Sequence, residues 1–407
     1  MRLSAGGNLF AALRHRQFAL LWWGQAGSRV GDHIYTVVLP LWVRQETGSA
    51  SAMGLVLLCT VLPAVLLMPV AGALVDRLSR PRVMFTSDLV RAGAALSIGL
   101  AEAAGVLELP FVLVASVAFG LAQAFFQPAY VAVVPQVTPK GDLQSANSLT
   151  ALSQQIAAVL GPAAGAALLL FAGAAAGFVV NGLSFLASAA TLAVMDWRAI
   201  RPEASASRVL DDVREGFSTV RSEPWIWYTI LLAGLANITL TGPMRVALPF
   251  HLDAERDMGW AFGAVLAAGA VGSVVMALMV GRRKGRLRQR GLMAYLAWQA
   301  NGLMLIALAS GLPVSFLLVA ALGGGAALTL FELIWVGTLQ EMVPLERLGR
   351  VASIDYVVSF GLLPLGGLAV GFATDAFGGA EVLAVCGAIT ATLPLLGLLT
   401  PRIRSLD

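Results

Sequence analysis

Charge is what this chain has least of. Only 12% of its 407 residues are charged, against roughly a quarter in soluble domains, while 58% are hydrophobic. A soluble fold of this length needs a polar exterior that so few charges do not supply. Cysteine is nearly absent: Cys59 and Cys386 both sit in apolar runs, which argues against a disulfide framework. The three histidines, His15, His33 and His251, are scattered without metal-ligand spacing. No H-E-x-x-H, G-x-S-x-G or His-Asp pairing is present, and no G-x-x-x-x-G-K-[ST] phosphate loop. These absences leave no metal or catalytic centre and no ATP site, so no cofactor is expected and work must be drawn from a proton or other ion gradient. A membrane enzyme would need a clustered nucleophile, base or metal, and a sensor a substantial soluble domain; neither is found. A cleavable signal peptide is not expected either, because the first apolar run is long and lacks a small-residue cleavage site.

What the chain does have is long apolar runs. A membrane-spanning helix takes about 20 such residues, and about a dozen spans with short loops account for most of the length. Punctuation by charge, Gly and Pro places them near 18–43, 52–75, 83–104, 109–134, 144–171 and 175–195, then 224–250, 259–281, 291–309, 314–340, 350–373 and 379–400. The expected fold is all-α, about 12 transmembrane helices in two pseudo-symmetric six-helix bundles: an N-terminal bundle over 1–196, a polar linker over 197–223 and a C-terminal bundle over 224–407. Basic residues test this order. With both termini and the even-to-odd loops on one side, the opposite loops receive only Arg44 and Arg256 of the 27 Lys and Arg residues, and Arg29, Arg91 and Arg245 fall in spans. That bias predicts cytoplasmic termini. It also accounts for the net charge of +4 through topology and anionic lipid, with no nucleic-acid partner. The expected partners are the bilayer and a small-molecule substrate, and a monomer is expected.

The halves are related. At an offset of 205 positions Phe126, Pro139, Leu143 and Ser148 fall on Phe331, Pro344, Leu348 and Ser353, and Tyr130 falls on Trp335. An offset of 209 puts Leu39-Pro40 on Leu248-Pro249. Parallel repeats of this kind place a substrate site near the midplane of the membrane.

Between the second and third spans the chain reads Gly72-Ala-Leu-Val-Asp76-Arg77-Leu-Ser79-Arg80-Pro81-Arg82. This resembles the major facilitator signature G-x-L-x-D-R-x-G-R-R, departing from it at Ser79 and Pro81. Gly161-Pro162-Ala-Ala-Gly165 in the fifth span is similar to the antiporter motif of export-type members. Ser28-Arg29-Val-Gly31-Asp32, Phe125-Phe126-Gln127-Pro128-Ala129, Ala146-Asn147-Ser148-Leu149 and Asn181-Gly-Leu-Ser-Phe185-Leu-Ala-Ser188 look like the drug:proton antiporter branch that includes macrolide-efflux and enterobactin-exporter proteins. The resemblance covers nearly the whole chain. It implies a bacterial cytoplasmic-membrane exporter and a cytoplasmic latch, here Gly72, Asp76, Arg77 and Arg80 with Asp88, Arg91 and Asp355. It implies a hinge and packing seam at Gly161, Pro162 and Gly165. Many proton-coupled members carry an arginine in mid-helix 4; that span, Phe111 to Val134, has no charge here, so no such relay is expected.

An ionisable group in hydrocarbon is costly and by default faces the interior as a functional candidate. Arg29 and Asp32 lie three residues apart in the first span, on neighbouring helical positions, with Asp32 the first choice for a proton-carrying carboxylate and a static Arg29–Asp32 pair the competing reading. Glu332, the repeat partner of Gln127, is the second proton or cation candidate. Gln25, Tyr35, Gln123, Gln127, Asn181, Asn237, Arg245 and Trp335 complete the candidate substrate cavity. The expected function is proton-coupled export of an amphipathic small molecule by alternating access, with import or lipid flipping on the same fold as the alternative.

Overall fold

The computed structural model describes residues 9–75, 78–197, 221, 224–255, 258–282, 289–343, 351, 354–355, 357–359 and 361–399. Among these the regular elements are all helices. In chain order they are α1 Arg16–Thr47, α2 Ala50–Val75, α3 Arg80–Ala103, α4 Leu109–Val137, α5 Leu143–Ala193, α6 Pro224–Arg245, α7 Gly259–Arg282, α8 Arg290–Ala309, α9 Val314–Met342, α10 Leu363–Phe377 and α11 Gly379–Leu398. A four-residue helix, Ala247–Phe250, and a π turn, His251–Glu255, follow α6. Among the described residues ten helices are long and apolar enough to cross a membrane. The run Lys140–Ala193, 54 residues long, is more than twice the length one crossing needs. It divides at Gly173, whose φ of 79° and ψ of 175° leave the helical region. Only glycine adopts that conformation cheaply, so the fifth and sixth expected spans are separated by one residue and no loop. The 32-residue α1 is too polar to count among the ten, because Arg16, Arg29, Asp32 and Arg44 interrupt it.

Two further boundaries differ from the sequence map. The expected span 224–250 breaks at Val246, just after Pro243, which lacks the N–H an inner helical turn needs. The expected span 350–373 ends at Phe377, four residues further on, and its described earlier residues 351, 354–355 and 357–359 are helical as well. The basic cluster 283–288 and most of the polar linker lie outside the described residues.

The chain forms two compact units: Met1–Leu39 with Cys59–Ala206, and Pro40–Leu58 with Ser207–Asp407. In the first, α3 packs on both α4 and α5. A hydrophobic cluster that includes Leu21, Ala129, Val134, Ala146 and Leu149 fills one end. In the second, α8 packs on α9 and α11, and α9 on α7. Its cluster holds Ile226, Ile334, Leu339, Val351 and Ile354, the residues 205 positions on from the five just named.

Contacts repeat at that same offset. Gly161 lies against His33 and Gly366 against Ile238; Gly165 lies against Val37, and Val370 against Gly242. The Tyr130 hydroxyl bonds Thr150 Oγ1 at 3.2 Å, while Trp335 Nε1 donates to Asp355 Oδ2 at 2.9 Å. At Gly161 and Gly165 an added Cβ would collide with α1, so these glycines let α5 approach the α1 backbone. For α3 and α8 the register is 210 positions: buried Arg80, Met84, Ser87, Asp88, Arg91, Ala95 and Ile98 correspond to buried Arg290, Ala294, Ala297, Trp298, Asn301, Leu305 and Leu308.

Candidate functional site

Three helices of the first unit each present a polar stripe at helical spacing. On α1 it is Gln25, Ser28, Arg29 and Asp32; on α4, Gln123, Gln127 and Tyr130; on α5, Asn147, Thr150 and Gln154. Steps of three and four residues put each set on one face. The three faces converge on a cavity of ≈ 500 Å³, which Arg91 of α3 also lines. That volume lies within the range of small-molecule sites.

Arg29 turns away from Asp32. It donates to the Thr150 carbonyl at 3.1 Å and to Ser153 Oγ, and it stands 5.3 Å over the Tyr130 ring. The static Arg29–Asp32 pair is therefore absent. Among the described residues no side chain hydrogen-bonds or pairs with the Asp32 carboxylate; the charges that act on it are Arg91, Asp88 and Arg29, in that order. An unpaired carboxylate on the wall of a polar cavity is free to take up a proton or meet a cation.

Behind this wall lies a buried polar network. Asp88, 0% exposed, pairs with Arg91, 4% exposed. Ser188 Oγ donates to Asp88 Oδ2 at 2.7 Å, and Gln25 Nε2 donates to Ser188 Oγ at 2.7 Å. Arg91 reaches Gln123 Oε1 at 3.2 Å and lies 4.2 Å from the Phe126 ring centroid and 4.4 Å from that of Phe185. One ion pair thus ties α1, α3, α4 and α5 together. Sequence reasoning grouped Asp88 and Arg91 with the latch; the structure groups them with the cavity, because their helical face turns inward to α4 and α5. Arg80 is buried at the start of α3 and Gly72 falls in α2, while Asp76 and Arg77 lie outside the described residues. Asp355 belongs to the second unit, where Trp335 and Ser359 donate to it at 2.9 and 3.0 Å.

Of the expected cavity residues in the first unit, Gln25, Gln123 and Gln127 line it. Tyr35 does not: its ring stacks on Phe119 at 5.3 Å and meets Phe178 at 5.7 Å, a packing role. Asn181 is fully buried beside Ser184, away from the cavity. In the second unit, Asn237 donates to the Ser359 carbonyl at 3.0 Å. Trp335 lines a slit of only ≈ 20 Å³ with Trp225, Tyr295 and Phe331. Arg245, the last residue of α6, and Glu332 on α9 are exposed. At the 205-residue offset Asp32 corresponds to Asn237 and Gln127 to Glu332. The acid and the amide have exchanged places between the halves. Ser28, Asn147, Thr150 and Gln154 were not anticipated. Their signal was there, in neutral polar residues recurring every three or four positions along apolar helices. Among the described residues no group of His, Cys, Asp and Glu is arranged to hold a metal.

The profile of the Major Facilitator Superfamily matches residues 21–362. Macrolide efflux protein A of Streptococcus pyogenes is 24% identical over 402 residues, 96% of this chain and 97% of that protein. Multidrug efflux pump Tap of Mycobacterium tuberculosis is 26% identical over 394 residues, 93% of this chain and 91% of its own. Among solved structures, a bacterial homologue of the human lysosomal transporter Spinster superposes with a TM-score of 0.72 at 15% identity, over 99% of this chain and 100% of that one. The nucleoside transporter NupG does so with a TM-score of 0.75 at 13% identity, over 94% and 98%. These two likenesses establish the fold.

Proposed function

Because the chain belongs to the major facilitator superfamily, a family of multi-pass membrane transporters and not of enzymes, we propose that it exports an amphipathic small molecule from a bacterial cell in exchange for protons. The observation that carries this reading is Asp32, an unpaired carboxylate on the wall of a ≈ 500 Å³ polar cavity inside apolar helices. Placing such a group in a membrane costs several kcal/mol unless it is solvated or paired, and loading it with a proton removes the charge. A proton and a cargo that favour different conformations of one carrier are coupled thermodynamically. The efflux proteins among its relatives, one for macrolides and one for several drugs, support outward transport of amphipathic compounds. In this reading the protein is a monomer in the cytoplasmic membrane with both termini inside. Bundles 1–196 and 224–407 alternate around the 197–223 linker, and Asp76, Arg77 and Arg80 latch the cytoplasmic side.

The test is accumulation of a macrolide and of amphipathic dyes in an efflux-deficient bacterial strain. Cells expressing the wild-type chain hold less of at least one compound than empty-vector cells. Asp32→Asn returns accumulation to the empty-vector level at unchanged abundance in the membrane. Full efflux by Asp32→Asn removes Asp32 from the mechanism; retention of every compound by wild-type cells removes the export reading.

A further inference from the structure

The Asp88–Arg91 pair has a built-in control, because the second half constructs the same layer without charge. At the 210-residue register Asp88 and Arg91 correspond to Trp298 and Asn301, both buried on α8. At the 205-residue offset their partners Gln25 and Ser188 correspond to Ile230 and Leu393, both apolar and buried. Trp298 stands 4.8 Å from Phe331, the counterpart of Phe126 under the Arg91 guanidinium. Packing in this fold therefore does not require the ion pair. A buried pair is itself weak support for stability, since desolvation of two charges consumes most of the Coulombic gain. Its position explains it better: Arg91 lines the same cavity as Asp32.

We propose that Arg91 is a positioning residue shared between two carboxylates, held by Asp88 while Asp32 carries a proton and drawn toward Asp32 when that proton leaves. This rests on the reading of Asp32 as the proton carrier. The groups facing Asp32 within the first unit are few. α1 itself supplies Arg29 and Tyr35, α3 supplies Asp88 and Arg91, α4 supplies Tyr130, and the polar groups that α5 turns to the cavity, Asn147, Thr150 and Gln154, are neutral. Arg29 is occupied by Thr150, Ser153 and the Tyr130 ring. With Asp32 ionised the charges of Arg29, Asp32, Asp88 and Arg91 cancel; with Asp32 protonated one positive charge remains. Gln123, the amide that Arg91 already touches, lines the same cavity as Asp32 and offers Arg91 a neutral partner.

The experiment titrates Asp32 directly, with protons as the only ligand. The full-length protein is reconstituted in lipid, and the infrared carbonyl band of the protonated carboxyl that disappears in Asp32→Asn is followed against pH. Arg91→Gln removes the cation and raises the midpoint of that band by about one pH unit. Asp88→Asn releases Arg91 to Asp32 and lowers it. Arg91→Lys, which keeps the charge, leaves the midpoint near wild type. The decisive variant is Asp88→Asn/Arg91→Gln: if Asp88 acts chiefly through Arg91, removing Asp88 lowers the midpoint less in the Arg91→Gln background than in wild type, a non-additivity that shared partners produce. Additive shifts, or none, overturn the proposal while leaving Asp32 as the proton carrier. Should Arg91→Gln not reach the membrane, a lowered midpoint in Asp88→Asn beside an unchanged one in Arg91→Lys supports the proposal, and an unshifted midpoint in Asp88→Asn overturns it. A chain in which no titrating band depends on Asp32 overturns both this proposal and the proton-coupling reading.

Discussion

Asp32 is the residue on which the chemistry turns, and its setting was only half legible. Its presence in an apolar run marked it, as charge in hydrocarbon does. The competing reading of a static pair with Arg29 fails, because three-residue spacing brings Arg29 within reach without saying where that guanidinium points; the Thr150 carbonyl, Ser153 and Tyr130 claim it instead. The neutral stripe on α5 was missed because its three- and four-residue spacing was not followed along that span, although amides on other helices were singled out. Asn147, Thr150 and Gln154 supply α5's only polar groups in the cavity. Asn147→Leu and Gln154→Leu are expected to weaken cargo binding by up to about tenfold each, the worth of one lost hydrogen bond. Membrane abundance should stay unchanged. Concentration dependence of transport in cells measures this, and unaltered dependence in both variants places cargo elsewhere.

At the scale of the element, the spans were read well and their joints poorly. Hydropathy locates an apolar run, but it does not reveal a break made by one residue. Gly173 turns α5 with a positive φ and no loop, and Val246 interrupts the helix that α6 begins. The α6 break also accounts for two repeat offsets: 205 holds at Val37 and Gly242, whereas 209 aligned Pro40 with Pro249. Gly173→Val forces a β-branched side chain into a region of backbone space open essentially to glycine. The expected cost is about 1–3 kcal/mol, seen as a lower thermal midpoint of the purified protein. A second joint is a cap supplied from elsewhere in the second unit. Asp375 near the end of α10 accepts the Ala50 and Ser51 backbone N–H groups at 2.5 and 2.9 Å and the Ser49 hydroxyl at 2.9 Å, closing the start of α2. Asp375→Ala should cost about 1 kcal/mol, as loss of a helix cap does, with Asp375→Asn partly restoring it. Equal thermal midpoints for wild type and Asp375→Ala would show the cap to be idle. Sequence could not reveal it, since donor and acceptor are more than 300 residues apart.

At the scale of the molecule, a repeat faint in residue identity keeps its register helix by helix, at 205 positions for most pairs and 210 for α3 and α8. Two sets of helices reproduce each other's glycine contacts, aromatic anchors and buried faces, and they differ where charge is concerned. The first unit holds a cavity lined by Asp32, Arg29 and Arg91 and backed by Asp88; the second replaces Asp32 with Asn237 and the α3 pair with Trp298 and Asn301, and carries Glu332 and Asp355 where the first has Gln127 and Thr150. Composition alone predicted a polytopic helical protein, because no other environment suits so apolar an exterior. It did not predict that a ≈ 500 Å³ cavity would be lined by the first unit, nor that α1 and α2 would each be divided between units, at 39/40 and 58/59. The functional account stands or falls on whether cargo and protons move in opposite directions through a cycle that needs Asp32. The direct measurement uses proteoliposomes with a pH-sensitive dye inside and a gradient of an exported compound as the sole driving force. The account predicts proton movement against the flow of that compound, abolished by Asp32→Asn. Compound flow without proton movement, or unchanged proton movement in Asp32→Asn, would contradict it.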